Sequence, residues 1–391
     1  MSLPLEELKM LDLSRYFPGA YCSLVLSDLG VEVVKVEEPG VGDPIRRIHP
    51  LKGNESTQHL LLNRNKKSIT LDLKSSEGKD IFYELARDSD IILENFKPGV
   101  TDALGIGYND IKVINPGLIY CSISGFGQDG PYHNLPGHDI NFIGYSGMLG
   151  IAGQKRLPPT IPVVPIADLS GAMFAVISIL SSCISRKTNR RGGFLDVSLL
   201  DGAIAWLGHS MGYLYLEGIP EAERDMALSG KYACYSIYRT KDGKNLTIAS
   251  LEPKFWKNLC EKVGREDYIS LQFSPGEKQQ EIKACFEEMF LTKTRDDWMD
   301  FFEGTEICAG PVYDVDEVFV DPQVIHRKIF TEVVHPGKGP IKQIDSLSKL
   351  AGDFTEKGTY PPGLGQHTDE VLQNLGIREV EIARLRGKGI I

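Results

Sequence analysis

The chain has 391 residues, 42% of them hydrophobic and 25% charged, with 43 Lys and Arg against 53 Asp and Glu for a net charge of -10. That length suits roughly two ordinary domains, and the acidic balance argues against general nucleic-acid binding, since no basic excess is available to neutralise phosphates over a wide surface. The seven cysteines are scattered, odd in number and free of any C-x-x-C pair, so neither a disulfide framework nor a metal site is indicated, and reduced thiols in the cytoplasm are expected.

The N-terminal MSLPLEELK has no basic start before an apolar block, so a secretory signal is not expected. LKMLDLS reads as a strand, and Pro18 suits the first turn of a helix that Gly30 can end. VEVVKVE, SITLDL, IILENF and LIYCSIS read as further strands, with helical patterns in SSEGKDIFYELARDSD and VTDALGIG. Short apolar, β-branched runs alternating with helices predict a parallel sheet covered on both faces. The fold class is therefore α/β, a Rossmann-like doubly wound domain whose ligands sit beyond the carboxyl ends of the strands. Arg46-Arg47 and the NRNKKS run at 63–68 are basic clusters in an acidic chain, either solvated surface or a capture site for a phosphorylated ligand. GFGQDG at 125–130 formally matches G-x-G-x-x-G, but Pro131 and Tyr132-His133-Asn134 follow where a dinucleotide fingerprint needs a helix. Its glycines read as turn or close-approach positions.

NLPGHDINFIGYSGML sets His138 between a Pro-Gly turn and a mostly apolar run, where it is either a satisfied core histidine or a group placed to move a proton. ADLSGAMFAVISILSSCIS reads as a buried helix whose apolar run is too short for a membrane span. Asp168 at its start reads as an N-cap carboxylate, in a position that also favours a nucleophile or an acid-base group returning to its charged form. FLDVSLLDGAIAWL runs from a strand into another buried helix. A hairpin around Asp242-Gly243 and charged amphipathic helices from Pro253 to about Phe302 form a smaller α+β domain over 226–330. Glu252, just before Pro253, reads as a helix-start carboxylate. Residues 1–225 make the large domain, and 331–391 return to it, ending in the helix DEVLQNLG.

Together, LSDLGVEVVKVEEPGVGDPIR, ITLDLKSSEG, ENFKPGVTDALGIG, LIYCSISGFGQDGPY and PPGLGQHTDEVL resemble the class III CoA-transferase family, in family order and over almost the whole chain. The resemblance implies an interlinked homodimer of subunits with a large Rossmann-like and a small domain, acting on acyl-CoA. It implies no cofactor beyond the coenzyme A of the substrate, and no metal, nucleic-acid or membrane partner. Asp168 falls where transferases carry the aspartate that forms an acyl anhydride and where racemases carry an acid-base aspartate. GHDIN (137–141) and LEP (251–253) are similar to the racemase pattern, which pairs His138 with Asp168 and has Glu252 support the histidine. Coenzyme A contacts are implied at Arg46, Leu71, Asp72, Leu73, Lys74, Asn95, Phe96, Lys97, Gly137, Asp139, Ile140 and Asn141. Glu38 and Ala103 stand where relatives often have arginines serving the CoA nucleotide, which leaves Arg46, Arg64, Lys66, Lys67 or Lys97 to supply charge. The favoured reading is a racemase of 2-methylacyl-CoA working by two-base proton transfer, with backbone amides at the start of the Asp168 helix as candidate donors to the enolate oxygen. The alternative is a CoA-transferase with Asp168 as nucleophile.

Overall fold

Six strands pair in parallel in the computed structural model, which describes residues 3–151, 160–212, 227–337, 339–344 and 358–391. They are β1 (Lys9–Asp12), β2 (Glu32–Glu37), β3 (Lys66–Thr70), β4 (Ile91–Glu94), β5 (Ile119–Ser124) and β6 (Gly193–Ser198), in the order β3-β2-β1-β4-β5-β6. The connecting helices used below are α1 (Tyr16–Asp28), α2 (Ser76–Arg87), α3 (Asp139–Tyr145), α4 (Ile166–Asn189) and α5 (Leu199–Ala205). Successive strand side chains point to opposite faces, and here both faces are covered. Met10, Ile91, Leu93 and Ile119 join the core layer of α1 and α4, while Leu11, Ile92 and Tyr120 join the layer of α2. The doubly wound α/β domain expected from the alternating runs is what forms.

The second layer is completed by the C-terminus. Helices Thr368–Asn374 and Glu379–Gly387 bury Val371, Leu372, Ile382 and Leu385 there, and Ile390 O accepts from Asp72 N at 2.8 Å. The final helix was not foreseen, and neither was the antiparallel pairing of strands Phe330–His335 and Gly339–Ile344.

Helices α4 and α5 meet closely because two glycines leave room. A Cβ on Gly171 would lie 2.3 Å from Leu199 Cδ2, and one on Gly202 would lie 2.6 Å from Ser170 Oγ. That contact seats the first turn of α4 beside the carboxyl end of the sheet. At 24 residues α4 runs past the apolar stretch that suggested it, and by length and composition alone it could cross a membrane. One of its faces, including Ala172, Ala175, Val176 and Ile179, is nevertheless buried in the core of this domain.

The chain divides into two compact units, the first from the described residues of 1–151, 161–207 and 323–391, the second from Thr160 and the described residues of 208–322. The second unit holds a three-stranded antiparallel sheet of Tyr235–Arg239, Asn245–Ala249 and Ala309–Val312. Helices Pro253–Lys262, Glu277–Phe290 and Arg295–Phe302 cover it with an aromatic core of Trp256, Phe286, Phe290 and Trp298. All seven cysteines are unpaired, and five of them are buried.

The basic clusters correct both readings offered for them, since most of their charges are spent on internal acids. Arg46 donates to Glu37 Oε1 and Oε2 at 2.6 and 2.7 Å and to Pro362 O at 3.1 Å. Arg64 pairs with the buried Asp28, and its Nη1 reaches Gln343 Oε1 at 3.1 Å. Lys66 is buried against Ala20 O and Asn63 Oδ1, both at 3.0 Å, and Lys67 pairs with Glu32 and Glu370. Beneath β1 and β2, the buried Lys35 donates to Ser14 O at 2.7 Å and lies 3.0 Å from Asp43 and 3.9 Å from Asp12. Burial alone would push the Asp12 carboxyl up, but Lys35 and Lys66 outweigh it and hold Asp12 below its ordinary range. For Lys66 burial wins over Asp12, and the ammonium falls to about 8.

Candidate active site

The strand order reverses between β1 and β4, and in such sheets the crevice at the reversal is where ligands bind. Asn95, just after β4, spans it. Its Oδ1 accepts from Arg15 N and its Nδ2 donates to Arg15 O, both at 2.7 Å, tying together loops 80 residues apart in sequence. Phe96 beside it lines two cavities at this edge.

The larger cavity, of about 630 Å³, is walled by Phe17, Ile48, Phe142 and Leu199 together with Asn95, Lys97, Gly137, His138 and Asp168. His138 is the residue just before α3, with its amide donating to Asn141 Oδ1 at 3.0 Å. Its exposure on the cavity wall removes the core-histidine reading. The loop that carries it is pinned by Phe142, whose ring lies 2.8 Å from where a Gly137 Cβ would be and 2.5 Å from where a Gly125 Cβ would be. Only glycine at both positions lets the end of β5 and the histidine loop close on the same ring.

Asp168 is the third residue of α4, after Pro165 at the cap position, so the expected N-cap role is corrected. The cap comes from another helix, where Asp139 Oδ1 accepts from Ala167 N at 2.6 Å and from Asp168 N at 3.1 Å. Carboxylates favour helix N-termini because unsatisfied amides and the helix dipole converge there. With those two amides occupied by Asp139, and Leu169 N bonded to Pro165 O, these three amides are engaged within the protein and are not the enolate-oxygen donors expected of them. Burial, and then the neighbouring Asp139 charge, push the Asp168 carboxyl up to about 7. Asp139 thus has two effects, holding the helix start and biasing Asp168 toward its protonated form. Asp139→Ala is expected to cost about 1 kcal/mol of stability through the lost cap, measurable by urea unfolding. Asp139→Asn should retain an acceptor for the amides and lower the Asp168 titration.

The smaller cavity, of about 270 Å³, is lined by Leu71, Asp72, Leu73 and Lys74 together with Arg15, Glu38 and Phe96. Arg15 stands over the Phe96 ring at 5.2 Å. Behind it, Glu94 accepts from Phe96 N at 2.7 Å, and burial pushes its carboxyl up to about 7 against the bonds from Ser122 and Phe96.

Of the residues singled out from the sequence, Asn95, Phe96, Lys97, Gly137, His138 and Asp168 share the larger cavity, and Leu71, Asp72, Leu73 and Lys74 share the smaller one with Phe96. Asp139 and Asn141 act from underneath, through the bonds given above. Ile140 is exposed on α3 and, like Arg46, lines neither cavity; Arg46 is held by Glu37. Glu252 belongs to the second unit, where it is exposed ahead of helix Pro253–Lys262 and its carbonyl accepts from Phe255 N and Trp256 N at 3.0 and 3.1 Å. Arg15 and Phe142 were missed, because no local pattern marks a residue whose partners lie in other loops, whereas Gly125 is one of the close-approach glycines read from GFGQDG.

Known proteins resemble this chain over nearly its whole length. The chain is 35% identical to human succinyl-CoA:glutarate CoA-transferase, over 99% of this chain and 90% of that protein. It is 30% identical to human alpha-methylacyl-CoA racemase, over 100% and 98%. A crystal structure of a CAIB/BAIF family protein from Brucella suis superposes with a TM-score of 0.84 at 28% identity, over 96% of this chain and all of that one. With residues 5–368 matching the model of CoA-transferase family III and whole-length likeness to both a transferase and a racemase, this chain belongs to CoA-transferase family III and is an enzyme of that family.

Proposed function

We propose that the protein racemises 2-methylacyl-CoA thioesters by a two-base transfer of the α-proton. The observation that carries this reading is that His138 and Asp168 line one cavity while Asp168 is poised at about 7, so that it gives and takes a proton at neutral pH. A general acid-base group works best near the operating pH. One proton is shared by the pair. Neutral His138 takes the α-proton from one face while protonated Asp168 returns one to the other, and His138⁺ with Asp168⁻ runs the reverse for the other enantiomer. Glu252 is assigned the support of the imidazolium. The coenzyme lies along Leu71–Lys74 and Asn95–Lys97, and no further cofactor is involved.

A second reading is favoured by the 35% identity to a CoA-transferase. In it the Asp168 carboxylate attacks the thioester carbonyl, and the C–S bond breaks to release CoA thiolate and leave an acyl anhydride; the thiolate then attacks the aspartyl carbonyl, expelling the first acid and forming an aspartyl-CoA thioester, from which an acceptor carboxylate takes CoA by the reverse steps. Incubation of a resolved 2-methylacyl-CoA in D₂O, with and without an acceptor carboxylate, separates the two. Deuterium entering the α-position with no acceptor present is the expected result. Absence of exchange over a range of acyl chains, with CoA transferred to the added acid, would reverse the ranking.

The pH dependence follows from Asp168. In the direction where it is the base, kcat/KM should fall as pH drops through about 7; in the direction where it is the acid, it should fall as pH rises through the same region. Asp139→Asn should move both limbs to lower pH, because one of the two causes of the shift is removed. Profiles for the two enantiomers that share one shape, unaffected by Asp139→Asn, would remove Asp168 from the proton path.

We further assign a homodimer in the cytoplasm; the exposed apolar Ile177 and Ile184 on α4 bear on the dimer alone. Light scattering at micromolar concentration should give the dimer mass, and a monomer would contradict it.

A further inference from the structure

The smaller cavity has an apolar interior, with Leu13, Val36, Leu71 and Leu104 against Phe96, and a charged rim of Arg15, Glu38 and Lys74. Such a division suits a nucleoside, with the base against the apolar wall and the sugar at the rim. Glu38 is the first residue past β2, and its carbonyl closes the following turn by accepting from Val41 N at 3.2 Å and Gly42 N at 2.9 Å. In doubly wound folds a carboxylate at the end of this strand hydrogen-bonds ribose hydroxyls, whereas an arginine nearby accommodates a ribose phosphate. The two rim cations do not change that balance, because both are engaged by the carboxylate itself. Lys74 Nζ lies 3.1 Å from Glu38 Oε1, and Arg15 Nη2 lies 3.7 Å from Oε2. A phosphate on the ribose carries about -1.5 to -2 charge. It would meet Glu38 directly and would have to displace it from both partners.

We propose that Glu38 makes this cavity a reader of unphosphorylated ribose, so that the protein accepts thioesters of 3′-dephospho-CoA at least as readily as those of CoA. This rests on the acyl-CoA reading above and adds a specificity that the family alone does not carry.

The test is calorimetric titration of the full chain with adenosine 5′-diphosphate and with its 3′-phosphorylated form, for the unsubstituted protein, Glu38→Gln and Glu38→Arg. The unsubstituted protein is expected to bind adenosine 5′-diphosphate at least as tightly as the 3′-phosphorylated form. Glu38→Gln releases Arg15 and Lys74 and should shift preference toward the 3′-phosphate severalfold. Glu38→Arg should shift it roughly tenfold or more, since it replaces a like charge with a phosphate-matching fork. Should Glu38→Arg not fold, the milder Glu38→Gln still decides. A tenfold preference of the unsubstituted protein for the 3′-phosphorylated nucleotide, one unchanging ratio in all three proteins, or no binding of either nucleotide would each overturn the proposal. Parallel turnover of a CoA thioester shows where a failure lies. Turnover that persists leaves the acyl-CoA reading standing, and its absence with every acyl chain tried brings that reading down as well.

Discussion

His138→Ala is expected to lower the rate of α-proton exchange in a 2-methylacyl-CoA by roughly 100-fold to 10,000-fold, the range typical for loss of a positioned acid-base group. Asp168→Asn should be comparably damaging, because each lesion breaks the cycle for both enantiomers. The pair of variants also divides the two enzymatic readings. In a transferase Asp168→Asn removes the nucleophile and ends turnover, while His138→Ala leaves an anhydride-forming aspartate in place. Single-turnover assays in D₂O and with an acceptor acid measure both outcomes, and near-normal exchange in a folded His138→Ala protein would end the two-base mechanism. Glu252→Gln should fall between these extremes, since it keeps an acceptor and loses the charge.

The folding control for Asp168→Asn is simpler than the sequence suggested. Asp139, not Asp168, holds the amides at the start of α4, so the substitution leaves the helix cap in place. Its effect on stability also has a defined sign. The Asp168 carboxyl is raised in the folded protein to about 7 from an ordinary value of about 3.9, so between those limits the folded state binds the extra proton. Stability from this group is therefore lost as pH rises from about 4 to about 7. Asp168→Asn should flatten that decline in a series of thermal melts, and a steeper decline would contradict the assignment.

The second large effect is structural. Lys35→Met is expected to destabilise the protein by about 3–5 kcal/mol, the usual cost of removing one partner from a buried ion pair. Asp43 and Asp12, both buried, would lose the ammonium that lies 3.0 and 3.9 Å away, and Ser14 O would lose its donor at 2.7 Å. The loss falls on the loop that begins at Ser14 and continues through Arg15 to the base of the switch-point crevice. Urea unfolding should show a lower midpoint with little change in slope. A midpoint within experimental error of the unsubstituted protein would mean that the network contributes nothing net. Substituting Lys74 on the cavity rim, where the side chain is largely exposed, should change stability by less than about 1 kcal/mol.

The doubly wound sheet was legible in the sequence because its signal is local. Apolar β-branched runs such as VEVVKV and IIL bury both faces wherever they pair, and the helices between them leave parallel pairing as the remaining solution. The same locality made the hairpin at Asp242-Gly243 readable, since the short loop between Arg239 and Asn245 needs the positive φ that Gly243 adopts at +80°. The resemblance at His138 likewise rests on a short motif, GHDIN.

Charge was where local reading failed. Arg46, Arg64 and Lys66 look like solvated or ligand-facing cations in a one-dimensional string, yet each is taken up by an internal partner, Glu37, Asp28 or Asp12. Asp168 looked like a helix cap until Asp139, on a different helix, occupied the amides it would have used. The physical reason is range. Periodicity and turn chemistry act between neighbours in sequence, whereas desolvation and Coulomb interaction act between neighbours in space. Only the tertiary structure decides which carboxylate a cation meets, and whether an aspartate ends as a helix cap or as an acid poised near pH 7.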